Sequence, residues 1–311
     1  MKIDPCSIGC DVSKHHLDVF DGQTGCAIRI ANDADAIADW LSRLDGRTVF
    51  VTFEATGRYD RRLRQALVAA GIAHTRVNPA RARDFARALG LLAKTDRIDA
   101  RLLATMGSVL RLGPDQPTGD DAARHTLAEL HGRRDQLVAM RQQERLRLAD
   151  STPAEAPSIE RHLVWLDAEI KAIEAQRSEA LRSHAELGRL YRLLTSVPGI
   201  GPVAATTLIA LMPELGNTSP KAMAALAGLA PFNRDSGQFR GTRTIRGGRK
   251  RVRDALYMAA VSAWHSHTRL GTFARDLIAR GKPFKLAIIA LARKILTVAN
   301  AVLRDGQAYR A

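Results

Sequence analysis

Four carboxylates in the first hundred residues have the types and spacing to do chemistry: Asp11, Glu54, Asp96 and Asp99. Asp11 ends the apolar run Ile8, Gly9, Cys10, and Glu54 ends the run Val49 to Phe53. Asp96 and Asp99 stand three apart in KTDRIDARLLA, so one helix face presents both. Acids at strand ends facing a helical acid pair can hold two Mg²⁺ ions, which act on phosphates. Asp18, on the following strand, and Asp60, close to Glu54, are neighbours able to assist or compete. In a chain of formal charge +15, such an acidic spot points to nuclease-like chemistry on nucleic acid.

A second candidate is Ser236, within LAGLAPFNRDSGQFRGTRTIRGGRKRVRDALYMAA. A serine beside Gly237 in a loop can project its hydroxyl. Arg234, Arg240, Arg243 and Arg246 can clamp a phosphate, and Arg249, Lys250 and Arg251 continue the cationic run. No His lies in this segment, so cations or a metal would have to activate the hydroxyl. The plainer alternative is a serine that only shapes a turn.

The charge is concentrated. Residues 231–253 carry 8 basic side chains against 1 acidic, and 254–311 carry 9 against 3, whereas 1–230 are close to balanced. A basic region of this density binds phosphate backbone through counterion release, and a merely solvated basic face is the bland alternative. The three cysteines are sparse and form no CxxC, which disfavours disulfides and favours a reducing cytoplasm. A zinc site from Cys6, Cys10, His15 and His16 is disfavoured, because both cysteines are expected in a buried strand. No leader-like apolar stretch opens the chain, and no apolar run reads as the ~20 residues of a membrane span, so no membrane partner is expected.

The elements that must position these groups follow from periodicity. Strands are predicted at 6–12, 16–20, 26–30, 48–53 and 74–77, with helices between, which makes a mixed α/β layer over residues 1–112. RLGPDQPTGDD is a linker, and two long charged segments, 121–149 and 158–187, follow it. In the second, Ile159, Leu163, Leu166, Ile170 and Ile173 recur at steps of three and four, the seam of a coiled-coil helical hairpin over 113–187, paired within or between chains. Residues 188–311 read as an all-α domain. In it, LLTSVPGIGPVAATTLIAL is helix, turn, helix, and Gly199 and Gly201 would let backbone amides approach a phosphate. An ordinary tight turn between packed helices is the competing explanation.

Taken together, GCDVSKHHLDVF, VTFEATGRYDRRL, VNPARARDFARALGLLAKTDRIDARLLA, LLTSVPGIGPVAATTLIALMPELG and GLAPFNRDSGQFRGTRTIRGGRKRVRDALYMAA resemble the DEDD-type insertion-sequence transposases, the family of the Piv invertase. These blocks stand in the family's order and cover nearly all of the chain outside the hairpin. The RGGR after Ile245, where relatives can carry Gly-Asn, marks a subgroup difference. The resemblance implies a RuvC-like (RNase H-type) domain, a coiled coil and a helical transposase domain with a helix-hairpin-helix. It implies that Asp11, Glu54, Asp96 and Asp99 bind Mg²⁺. Ser236 would attack a DNA phosphodiester, giving a 5′-phosphoserine and a free 3′-hydroxyl. It further implies target and donor DNA as partners, a noncoding guide (bridge) RNA, and a dimer or tetramer with acids and serine from different subunits. A metal-dependent junction endonuclease with a structural serine is the competing enzyme, and a nucleic-acid packaging protein is the non-catalytic reading.

Overall fold

Strand β1 (Ser7–Val12) sets the first unit, Met1–Pro117. The computed structural model describes residues 3–4, 6–55, 57, 59–91, 96–114, 121–232 and 243–310, with the backbone alone at 96–98 and 121. Five of the six residues in β1 are buried, because both faces of its sheet are covered. The sheet runs β3 (Ala27–Ala31), β2 (His16–Asp21), β1, β4 (Phe50–Glu54), β5 (Ala73–Val77). β1, β2 and β3 pair antiparallel as a meander, whereas β1, β4 and β5 are parallel. Each strand lies within about two residues of its predicted span.

One face buries Ile8, Cys10, Leu17, Val51 and Phe53 with Ile37 and Trp40 of α1 (Ala34–Ser42) and Leu63 and Leu67 of α2 (Arg61–Ala69). Asp33 caps α1 by accepting from the Ala36 amide. Asn78 caps α3 (Pro79–Ala88) in the same way. The other face receives α4 (Asp96–Val109), whose Ala100 and Ala104 pack on Phe20. Cys6 precedes β1 and is exposed, so only Cys10 is the buried strand cysteine that the alternation predicted for both.

The second unit, Thr118–Ala311, opens with α5 (Asp121–Ala149) and α6 (Ala156–Ser183). Their ion pairs, Arg141 with Asp167 and Arg134 with Glu174, both 2.6 Å, fix the two helices as antiparallel. Leu166, Ile170 and Ile173 of the predicted seam are buried with Leu137, and Ile159 and Leu163 are half-buried. The seam continues to Arg177, a buried cation. The remaining helices are α7 (Ala185–Thr195), α8 (Pro202–Leu211), α9 (Pro220–Leu226), α10 (Lys250–Trp264), α11 (Arg269–Ala279) and α12 (Phe284–Asp305), with a short ribbon of β6 (Pro231–Phe232) and β7 (Thr244–Ile245). Leu127 of α5 and Leu181 of α6 join their core, so the base of the hairpin shares it. α12 is long and apolar enough to cross a membrane, which the sequence reading missed; Ala287, Ile288, Leu291 and Ile295 bury it as a core helix instead.

One stripe of α5 docks the hairpin. Arg124 donates to the Ile209 carbonyl, His131 meets Thr207 at 3.0 Å, and Asp135 pairs with Arg251 of α10. The Thr207 hydroxyl donates to the Val203 carbonyl, so its oxygen accepts from His131 Nε2–H. Burial pushes the His131 pKa down to about 4. Asp135 opposes that shift, and Arg177, Arg251 and Arg134 add to it. The unfolded imidazole titrates near 6.5, so between pH 6.5 and 4 the unfolded chain binds the extra proton and stability falls as the solution is acidified. From pH 7 to 4.5 this unit should lose roughly 2 kcal/mol through His131. Denaturant titrations at both pH values check this: His131→Gln should remove that share of the slope, and an unchanged slope would refute it.

Candidate active site and nucleic-acid interface

The acids are placed by α4 and two parallel strands. β1 and β4 pair Cys10 with Phe53, and the same register carried one residue further aligns Asp11 with Glu54 at the strand ends. Cys10 and Phe53 face the α1–α2 side, so Asp11 and Glu54 face the α4 side. Ser7 Oγ donates to the Ala104 carbonyl at 2.7 Å, and the Asp4 amide donates to Ser108 Oγ at 3.0 Å. A Cβ on Gly9 would overlap the Ala100 carbonyl oxygen. Residue numbers therefore fall along β1 as they rise along α4, and the first turn of α4, with Asp96 and Asp99, is led toward Asp11 and Glu54.

Asp11, Glu54 and Asp99 are half-buried, and each is engaged in a hydrogen-bonding or electrostatic interaction. The Asp96 side chain lies outside the described residues. Burial pushes the Cys10 thiol well up, and the neighbouring Asp11 charge adds to that, so Cys10 is an inert core thiol. Among the described residues no three His, Cys, Asp or Glu side chains stand as a ready metal cluster. The donor set itself, carboxylate oxygens only, fits a hard divalent cation.

The two neighbouring acids are tied elsewhere. Asp18 stands opposite Asp11 and takes both hydrogen bonds of Arg29, each 2.9 Å. Asp60 is buried and pairs with Arg76 at 2.7 Å. The row across the sheet thus reads Arg29, Asp18, Asp11, with one carboxylate already answered by a guanidinium.

In the helical unit, Pro231 pairs with Ile245 and Phe232 with Thr244. This ribbon holds together the two ends of the segment 233–242, which carries Arg234, Ser236 and Arg240; those three lie outside the described residues. Arg243 and Arg246 are exposed at the ribbon, Arg246 over the Phe232 ring at 5.4 Å. The next three cations are engaged within the fold. Arg249 makes a bidentate pair with Glu214 and donates to the Leu211 carbonyl at 2.9 Å. Burial would raise the Glu214 carboxyl, but Arg249's hydrogen bonds and charge outweigh it and hold it below the usual range. Lys250 pairs with Asp254, and Arg251 with Asp135. A phosphate would have to displace these carboxylates.

The two glycines of the α7–α8 turn differ. Gly199 has φ +92°, and a Cβ there would overlap the Ala259 carbonyl oxygen and come 2.7 Å from Ala263 Cβ, so packing on α10 requires it. Gly201 caps α8 with no side-chain bond and has open space around it, the position an anion can approach.

Carboxylates at strand ends and exposed arginines are features of enzymes that work on phosphodiesters of nucleic acid. Comparison with known proteins makes this specific. The DEDD transposase domain of IS110 type matches residues 8–151, and the model described as "Transposase IS116/IS110/IS902 family" matches 191–275. A "Pilin gene-inverting protein" of Moraxella bovis is 30% identical over 318 residues, covering 97% of each chain. An "Insertion element IS110 uncharacterized 43.6 kDa protein" of Streptomyces coelicolor is 33% identical over 156 residues, 49% of this chain and 37% of that protein. The chain belongs to the IS110-type transposase family, enzymes that cleave and rejoin DNA. Membership also carries divalent-metal dependence for the DEDD domain.

Proposed function

We propose that this chain is an RNA-guided, serine-type DNA recombinase. The Ser236 hydroxyl attacks a DNA phosphorus, the bond to the 3′ oxygen breaks, and that oxygen leaves protonated as a free 3′-hydroxyl. A 3′-hydroxyl from another strand then attacks the phosphoserine and regenerates the serine. The phosphodiester energy is conserved in the ester, so strands exchange without a nucleotide cofactor. Asp11, Glu54, Asp96 and Asp99 would hold the divalent ion. That ion, Mg²⁺ in this reading, would supply charge to neutralise non-bridging oxygens and to lower the hydroxyl's pKa, in place of the histidine base absent from the segment. Arg243 and Arg246 hold the phosphate as its charge grows. A guide RNA supplies sequence recognition to a chain rich in backbone-binding arginines.

Rejoining rather than simple hydrolysis is supported by one observation: a protein named for gene inversion aligns over 97% of both chains. The α5–α6 hairpin, as a coiled coil, is read as the element that brings protomers together, with acids and serine meeting across them. The test is a nicked DNA substrate whose cleaved strand diffuses away. The expected product is the chain joined to a 5′ phosphate through Ser236, identified on the isolated peptide. A free 5′-phosphate with no adduct would favour the metal-dependent junction endonuclease.

The arginines offer a second measurement. Arg246→Ala should lower the dependence of log K on log salt by about one unit per lost duplex phosphate contact, with stability unchanged. Arg249→Ala should do the reverse, lowering stability and leaving the salt slope alone, because its partner is Glu214. Equal slopes for wild type and Arg246→Ala would remove Arg246 from the interface.

A further inference from the structure

A second cationic patch lies at the start of α12, beside the end of α10. Trp264 at the end of α10 meets Phe284 edge-on, ring centroids 5.0 Å apart at 76°. That contact seats Phe284 beside the end of α10, among the cations that flank it in sequence, Arg280, Lys282 and Lys285. Phe284 is 43% exposed, and residues 279–286 are exposed without a break. Among the described residues none of these three cations has a carboxylate within 4.0 Å, in contrast to Arg249, Lys250 and Arg251. The 22-residue helix α12 also begins here with no side-chain cap.

Free cations around an exposed aromatic face fit one kind of occupant. Unpaired bases offer π-faces to stack on, and their phosphates offer charge; a duplex hides the former. A protein partner fits less well, because the centres of protein interfaces are depleted in lysine. We propose that this patch holds a single-stranded stretch of nucleic acid, with a base stacked on Phe284, which Trp264 braces, and phosphates against Arg280, Lys282 and Lys285. The inference rests on the recombinase reading for its context and adds the place and strandedness of one contact.

The experiment uses the full chain and labelled single-stranded RNA, single-stranded DNA and duplex DNA of one sequence, read by fluorescence anisotropy. Phe284→Ala should weaken single-strand binding about tenfold and leave duplex binding unchanged, and Phe284→Tyr should restore it. Lys282→Ala with Lys285→Ala should reduce the single-strand salt slope by about 1.4. Loss on RNA alone, DNA alone or both supports the contact and identifies its source. Equal weakening on the duplex, or no change on either single strand, overturns it. Binding is read without cleavage. A wild-type chain that binds single strands yet never forms a serine adduct would therefore overturn the recombinase reading alone.

Discussion

Neither a Ser236→Ala chain nor an Asp99→Ala chain should recombine DNA alone, and an equal mixture of the two should. In the proposed mechanism each substitution removes a group that acts on the reacting phosphate, and losses on the order of 10³-fold or more are usual for such groups. The recovery on mixing is specific to a site shared between protomers. The Ser236→Ala chain keeps its acids and the Asp99→Ala chain keeps its serine. In randomly mixed protomers roughly a quarter of shared sites would therefore hold both intact groups. Were acid and serine drawn from one chain, no site in the mixture would be whole. The measurement is recombination product and covalent adduct for each variant and for the mixture. Two silent variants that stay silent when mixed would eliminate the shared site, while loss in both variants would still stand. An active Ser236→Ala chain would remove the phosphoserine mechanism itself.

The placement of Asp11 and Glu54 near strand ends was legible in the sequence because each terminates an apolar run. A run such as Ile8 to Cys10 must be a buried strand, and a charge that ends it must sit at a sheet end. Asp96 and Asp99 could be assigned to one helix from their spacing alone, and the first turn of α4 carries both. What periodicity could not convey was pairing between distant residues. Arg249, Lys250 and Arg251 look like a nucleic-acid stripe, yet Arg249 and Arg251 are answered by Glu214 and by Asp135, which lie 35 and 116 residues away. Gly199 looked like a phosphate-approach glycine for the same reason, since the α10 backbone that excludes a side chain is 60 residues downstream. Arg177 sits where the seam calls for an apolar residue, and its burial follows from packing at the hairpin base. Conversely Trp264 and Phe284, 20 residues apart, gave no local signal of a shared surface. The general rule that emerges is physical: which cations are free depends on where the carboxylates fold, and charge density along the chain does not report it.

Gly9→Ala should disable the acidic site without touching an acid. Gly9 lies on the α4 face of β1, and an added Cβ would overlap the Ala100 carbonyl oxygen and stand 2.5 Å from the Ala104 amide nitrogen. Both obstacles are helix backbone, so neither can swing aside; α4 must lift or β1 must bend. The second close approach, Gly107 against the Thr52 side chain, pins the far end of the helix to β4 and limits how it can tilt. Overpacking against rigid backbone of this kind costs about 3 kcal/mol or more, which in a unit of this size lowers its melting temperature by about 10 °C or more. The strain falls one residue from Asp99 and two from Asp11, so the acid pair of α4 is carried away from the strand ends. Divalent-ion affinity and strand cleavage should fall together, while nucleic-acid binding through the helical unit persists. Gly46→Ala is the matched control. Gly46 has a positive φ, +72°, which Gly9 does not share, but nothing lies within 4 Å of an added Cβ, so it should cost only about 1 kcal/mol and leave cleavage intact. A Gly9→Ala chain that melts with wild type and cleaves at its rate would mean that α4 does not press on β1 as described. The route by which the acids are brought together would then have to be sought elsewhere.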